Sequence, residues 1–371
     1  MFNGRTLSDL AKELERQAES KKDFKTPASL CEMSVRNPIN AQQSTDNQLT
    51  TARIPELQFR VGDKFQGELT ELMHDQVGSF TGVPSKYYER MRSEAPALLS
   101  ANVNHWMRQQ KETRLVRTLD GKARAFLSNR YRTIDNFDVA NATLPVLLAE
   151  ASKLGALEVV STEVTDKRLY IKAISKRLTY EVKKGDAVQM GIVISNSEVG
   201  LASVRIEPFL LRLICLNGAI IEDAAVRKFH IGRQSAELEA AEQVYRDETR
   251  MQDDRTFVMK LQDVTRAAFS NGNFEKLKGI TIDATTRKIS APVQDVVEEV
   301  VGRYGLPERM ANSFLTNLIE GADVTQWGLA NAVTAAANTA ANYEEATRLE
   351  KIGGEIIAMD GNQWKQLAEA V

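Results

Sequence analysis

Leu7, Leu10, Ala11 and Leu14 recur at helical spacing within residues 5–22, so the chain opens on an amphipathic helix. A stretch rich in Asn, Gln, Ser and Thr (NPINAQQSTDNQLTT) follows and reads as a linker. From Ile54 to Met107 the pattern is mainly helical after a short extended entry. Gly82-Val83-Pro84-Ser85 introduces one helix through Tyr87, Tyr88 and Met91, and Pro96 starts another that runs through Leu98 and Leu99 towards Trp106. The period then changes to two. Thr113 to Leu119 and Lys122 to Leu127 flank Asp120-Gly121, the strongest hairpin signal in the chain. Further strands read at Leu169 to Val182, Val188 to Asn196 and Ser203 to about Ile221, divided by Lys184-Gly185-Asp186 and Glu198-Val199-Gly200 turns, with a helix at 139–153 before them. Residues 234–270 read as one long helix or a helical pair, acidic in the middle. Helices at roughly 290–304, 308–320 and 325–350 follow, the last capped by Asp323 or Thr325.

These elements predict an α+β fold in which an antiparallel sheet with hairpins packs on a long helix, with helical regions at both ends. The expected segments are an N-terminal helix and linker (1–53), an α+β core (54–270) and a helical C-terminal region (271–371). The N-terminal helix is either a docking or oligomerisation arm or a helix packed on its own domain.

A two-residue turn at Asp120-Gly121 sets the hairpin register. Leu119 then faces Lys122, Leu115 faces Phe126, and Arg117 faces Arg124. Like charges placed opposite each other are destabilising, so the ribbon calls for an anion, and a phosphate backbone is the natural one. Arg114, Arg130 and Arg132 lie near the same pair. In the next strand Leu169, Ile171 and Ala173 alternate with Tyr170 and Lys172, with Lys176 on the latter parity. A basic face carrying an aromatic suits single-stranded nucleic acid. Tyr170 equally reads as an edge aromatic covering neighbouring strand surface. Beyond it, Val204 and Ile206 point inward and Arg205 and Glu207 outward, Pro208 breaks the ladder, and Asn217-Gly218 supplies a turn. Arg212, alone in the apolar run Phe209 to Cys215, is a site residue or a structural ion pair.

Net charge is −2, which argues against a histone-like binder, but its distribution is uneven. Arg108 to Arg132 holds eight basic and two acidic residues, and Lys167 to Lys184 holds seven and one. This segregation is either a basic stripe or a set of solvated strand faces. Hydrophobic content of 43% with 26% charged residues is that of an ordinary globular chain, with no apolar run of membrane-helix length and no apolar leader at the start, so a cytoplasmic protein is expected. Cys31 and Cys215 read as free thiols, and His74, His105 and His230 are too scattered for a zinc site. There is no GxxxxGK[ST], GxGxxG or GxSxG motif, and Asp135 and Asp138 read as helix caps. No catalytic residue, metal or cofactor is therefore assigned.

Several stretches taken together resemble a family of phage- and plasmid-borne proteins of unassigned function. They are GVPSKYYERM, APALLSANVNHWM, RTLDGKARAFLSNRYRTIDN, the ISNSEVGLASVRI to RLICLNG region, and WGLANAVTAAANTAANYEEATRLEKIGGEII. The resemblance implies a mobile-element protein made in a bacterial host cell. The order of elements also resembles the phage single-strand annealing proteins of the beta, Erf and RecT kind, whose core is an antiparallel hairpin and third strand on a long helix; here strands 169–221 and helix 234–270 would supply it.

The expected function is an oligomeric, ATP-independent protein that binds and anneals single-stranded DNA in phage or plasmid recombination. Its expected partners are DNA, further copies in a ring or filament, and a phage exonuclease or single-strand binding protein. Phosphate contacts are assigned to Arg114, Arg117, Lys122, Arg124, Arg130, Arg132, Lys172, Lys176 and Arg177, stacking to Tyr131 and Tyr170, with Arg205 and Arg212 as further candidates. The alternatives are a non-enzymatic host-interaction or anti-defence protein and a metal-dependent nuclease.

Overall fold

A computed structural model describes residues 4–36, 56–154, 157–221 and 247–368. It is α+β, with antiparallel sheets and helices towards both termini. The chain divides into two compact units, one comprising Met1–Ala11, Ile134–Asn196 and Ser203–Val371, the other Lys12–Thr133 and Ser197–Ala202. The segmentation expected at 53 and 270 does not coincide with these units, because the chain passes between them at residues 11, 133, 196 and 202.

The smaller unit holds two three-stranded antiparallel sheets. In the first, β1 (Lys22–Pro27) and β6 (Lys122–Ser128) flank β5 (Thr113–Leu119); in the second, β2 (Cys31–Arg36) and β4 (Phe65–Glu68) flank β3 (Glu56–Val61). Helix α1 (Leu7–Ser20), at the expected N-terminal position, precedes β1, and helices α2 (Glu71–Thr81), α3 (Ser85–Glu94) and α4 (Pro96–Arg108) follow. Pro96 opens α4 at its first turn, as expected, because that position needs no backbone donor. Met33, Phe59, Met73, Tyr88, Leu99, Val103 and Phe126 form the shared core. Strands β1 and β2 are additions to the expected elements and β3 falls at the expected extended entry; β2 alternates Cys31, Met33 and Val35 with polar residues over only six positions, whereas β1 shows no apolar alternation. In Lys22–Pro27, for instance, a single residue is buried.

The larger unit carries a five-stranded antiparallel sheet in the order β11-β10-β9-β8-β7. Its strands are β7 (Leu157–Val164), β8 (Leu169–Lys183), β9 (Asp186–Asn196), β10 (Arg205–Arg212) and β11 (Asn217–Ile220). The 19-residue helix α5 (Asn136–Leu154) packs on β7 and β8. Helix α6 (Asp247–Ala267) packs on α5, and the expected start of that helix at 234 lies outside the described residues, as does the expected linker.

Helices α7 (Asn271–Thr286), α8 (Val293–Arg303), α9 (Arg309–Gly321), α10 (Gln326–Ala336), α11 (Tyr343–Ala358) and α12 (Gly361–Ala368) follow. Thr325 caps α10 through its side chain. The single helix expected over 325–350 is two, because Asn342 accepts from the Glu345 amide and starts α11 anew. Small residues let α10 and α11 approach closely: a β-carbon on Gly353 would lie 2.2 Å from the Thr334 methyl. Pro208 does not break the sheet. Its carbonyl accepts from Ile221, so its missing donor also points towards the end of β11, and pairing with β9 runs from Arg205 to Arg212 without interruption. Asn217 and Gly218 are the buried start of β11, and the turn falls on Leu213 to Leu216 instead.

Candidate functional site

The β5–β6 turn is the one expected, with Asp120 and Gly121 at φ 52° and 73°. The register beyond it is not. A bulge after Arg117 sets Arg117 opposite Ala125 and Val116 opposite Phe126, so Arg124 is the extra residue and the two guanidinium groups do not face each other. Both are nonetheless buried, at 0% and 1% exposure.

The charge that offsets them is internal. Arg117 Nε donates to Asp23 at 2.9 Å and its Nη1 to the Glu198 carbonyl at 3.0 Å. Arg124 donates to the Glu198 carboxylate, which also has Lys21 Nζ at 3.7 Å. Glu198 itself is 3% exposed, in the Ser197–Ala202 segment that belongs to the smaller unit. Gln76 and Tyr131 donate to the carbonyls of Val199 and Ser197, pinning the same segment. An anion at this pair was expected, and a carboxylate of the chain supplies it. Arg117 and Arg124 are thereby removed from any exposed groove.

The second basic strand is corrected in the same way. Both parities of Leu169 to Ser175 are buried, because α11 covers the face that carries Tyr170 and Lys172. Lys172 and Glu350 are each fully buried and meet at 2.5 Å. The ammonium also lies 4.7 Å from the Tyr343 ring centroid and 5.8 Å from that of Phe209. Tyr170 packs on Tyr343 at 5.3 Å, and Tyr343 shares a 2.9 Å hydrogen bond with Ser161. Burial raises the phenol pKa of both tyrosines. Tyr170 is thus a packed core aromatic, unavailable for stacking on a base.

Arg212 takes the structural option. It donates twice to Asp186, at 2.7 and 2.9 Å, and the Trp327 indole donates to the same carboxylate. Arg205 sits 3.6 Å from Glu207, which also holds Lys351. Arg114 is mostly covered, bonded to the Phe126 carbonyl and lying over the Phe80 ring. Tyr131 is half-buried against Leu115 and Leu127.

Five nominated cations keep solvent access. Lys122 is exposed beside Glu68, Lys176 is exposed beside Glu158, Arg130 and Arg177 are exposed, and Arg132 is half-buried. Arg177 has no ion-pair or hydrogen-bond partner among the described residues, and Lys184 at the β8–β9 turn is likewise exposed and unpartnered.

A feature that sequence reading missed is a cleft of about 460 Å³ in the smaller unit, lined by Glu56, Leu57, Glu68, Leu69, His74, Glu89, Arg92 and Ser93. His74 is 3% exposed, and its Nδ1 lies 2.9 Å from the Tyr88 hydroxyl. Burial lowers the His74 pKa to about 4, so the ring is neutral at physiological pH. In the sequence His74 stands alone, because no other histidine or cysteine lies near it. Its partner, Tyr88, is one loop and one helix away.

Among the described residues no group of three or more His, Cys, Asp or Glu side chains is arranged to hold a metal ion, and no helix is long and apolar enough to cross a membrane. Comparison with curated proteins and with solved structures finds no match. Residues 124–354, more than half of the chain, match a domain of unknown function, DUF932, from Arg124 in β6 to Gly354 in α11, and the chain belongs to the DUF932 family.

Proposed function

We propose that the chain is a non-enzymatic, ATP-independent protein that binds single-stranded DNA and promotes its annealing as an oligomer, in recombination of a phage or plasmid. The observation that carries this reading is the exposed cations of β8 and its following turn: Lys176 and Arg177 stand at the irregularity midway along β8, between Ile174 and Thr179, and Lys184 stands at the β8–β9 turn, and two of the three lack any partner among the described residues. Most of the more deeply buried cations discussed above are matched by a carboxylate, which makes the unmatched ones the positions where an external phosphate gains most. Lys122, Arg130 and Arg132 extend the candidate contacts in the smaller unit. The resemblance to mobile-element proteins supports the biological setting.

The test is fluorescence anisotropy of a labelled single-stranded oligonucleotide against salt, followed by addition of the complementary strand. About five phosphate contacts give a log–log slope of roughly −3 to −4. Charge reversal at Lys176, Arg177 and Lys184 together should flatten that slope by about 2, whereas reversal at the exposed Lys12 and Lys365 should leave it. Equal effects of the two sets, or no binding at low salt, defeat the reading.

The host-interaction reading draws on a different feature. Leu213, Ile214 and Leu216 are exposed on the β10–β11 turn, with Leu216 at φ 53°, a conformation leucine seldom adopts. Salt-insensitive capture of a host protein, lost on Ile214→Ser, would favour it over DNA binding.

A further inference from the structure

The cleft of the smaller unit joins three observations that the proposed function leaves unused. First, its lining is acidic. Glu56, Glu68 and Glu89 line it with Arg92 as the one cation, and that guanidinium already holds Glu71 through two bonds of 2.5 and 2.6 Å. Arg92 also reaches Glu89 at 3.4 Å, and Lys122 reaches Glu68 at 3.1 Å, but all three lining carboxylates remain open to solvent, and Glu56 has no partner among the described residues.

Second, an almost wholly buried imidazole lines the same space. Tyr88 occupies His74 Nδ1, and Nε2 has no hydrogen-bond partner among the described residues. The Tyr88 phenol stays protonated, since burial raises its pKa, and the ring remains neutral. Either hydrogen can lie between Nδ1 and the phenol oxygen; in the tautomer with Nδ1–H donating, Nε2 carries a lone pair without adding a positive charge, and an ammonium in the cleft selects that tautomer. Third, Leu57 and Leu69, 8% and 9% exposed, supply an apolar wall.

An acceptor nitrogen, an apolar wall and surplus negative charge are together the complement of an ammonium on a short alkyl stem. We propose that this cleft binds a primary alkylammonium group, with Glu56, Glu68 and Glu89 around the charge, His74 Nε2 as a neutral acceptor and Leu57 and Leu69 along the methylenes. The group has two natural sources, a free polyamine and a lysine side chain of a partner protein.

The experiment uses the full chain and reads the imidazole signals by NMR, which are assignable because there are three histidines. Spermidine and a short lysine-containing peptide are titrated separately, with magnesium chloride at matched ionic strength and n-butanol as an uncharged stem. The expected result is a saturable shift of the His74 signals by spermidine, the peptide or both, with His105 unmoved. Response to spermidine alone identifies a small-molecule ligand, and response to the peptide alone identifies a protein partner. Glu56→Gln/Glu89→Gln, two exposed positions, should weaken binding at least tenfold, with the His74 signals of the free protein otherwise in place. The proposal is overturned if neither amine shifts His74, if magnesium shifts it equally, or if the double substitution leaves the affinity unchanged.

Discussion

Replacing Lys172 by Met removes an ammonium that solvent does not reach and leaves the Glu350 carboxylate equally buried. Stranding one member of such a pair costs about 3–5 kcal/mol. The carboxylate has no internal alternative, since Glu350 Oε1 already lacks a hydrogen-bond partner. Glu350→Leu strands the ammonium instead, and the Tyr343 and Phe209 rings return only about 0.5–2 kcal/mol of that loss. The double replacement Lys172→Met/Glu350→Leu removes both charges and keeps the volume, and an apolar pair of this kind lies within about 1–2 kcal/mol of the native one or above it. The two changes should therefore be coupled by at least about 2 kcal/mol. Guanidinium chloride unfolding gives the totals. Because the chain has two units, hydrogen exchange resolved to β8 and α11 must accompany it. Strict additivity, or single substitutions costing under about 1 kcal/mol, refutes the burial argument. A double variant that folds normally but loses DNA binding would return Lys172 to the phosphate contacts.

Glu198→Gln should destabilise the smaller unit by about 3 kcal/mol, because Arg124 keeps its charge without its buried partner; faster exchange confined to β5, β6 and the 197–202 segment is the readout. His74 adds a pH dependence. Its folded pKa of about 4 lies below the ordinary 6.5, so the neutral form is the one the fold favours. Stability is then full above pH 6.5 and falls as pH drops towards 4, by up to about 2–3 kcal/mol, and His74→Phe should remove this slope from acid titrations followed by circular dichroism. Gly191→Ala should cost about 1–3 kcal/mol or more, since its β-carbon would stand 2.0 Å from the Ala173 carbonyl oxygen; thermal melting would show it.

What the sequence displayed well was local chemistry. Pro96 at a first helical turn, Thr325 as a cap and Asp120-Gly121 as a two-residue turn are each determined by a few neighbouring atoms, and each stands where expected. The β-bulge after Arg117 is not local in this sense. It reorients Arg124, whose carboxylate partner is 74 residues away. Lys172 is likewise answered by Glu350, 178 residues on. Alternation along β8 gave the right parity for Tyr170 and Lys172, but parity does not say whether a face meets water or another helix. A cation on a covered face and one on an open face look alike until the covering element, here α11, is in place.

The short Ser197–Ala202 segment has a consequence for how the protein is made. The smaller unit is otherwise built from Lys12–Thr133, which is translated before that segment. Until residue 198 has emerged, Arg124 has no carboxylate to close upon, and Gln76 and Tyr131 have no carbonyls to hold. Translation must therefore run on through β7, β8 and β9 before the smaller unit can complete its core. A fragment cut at residue 133 carries the unit's sheets and helices and still lacks the counter-charge that closes them.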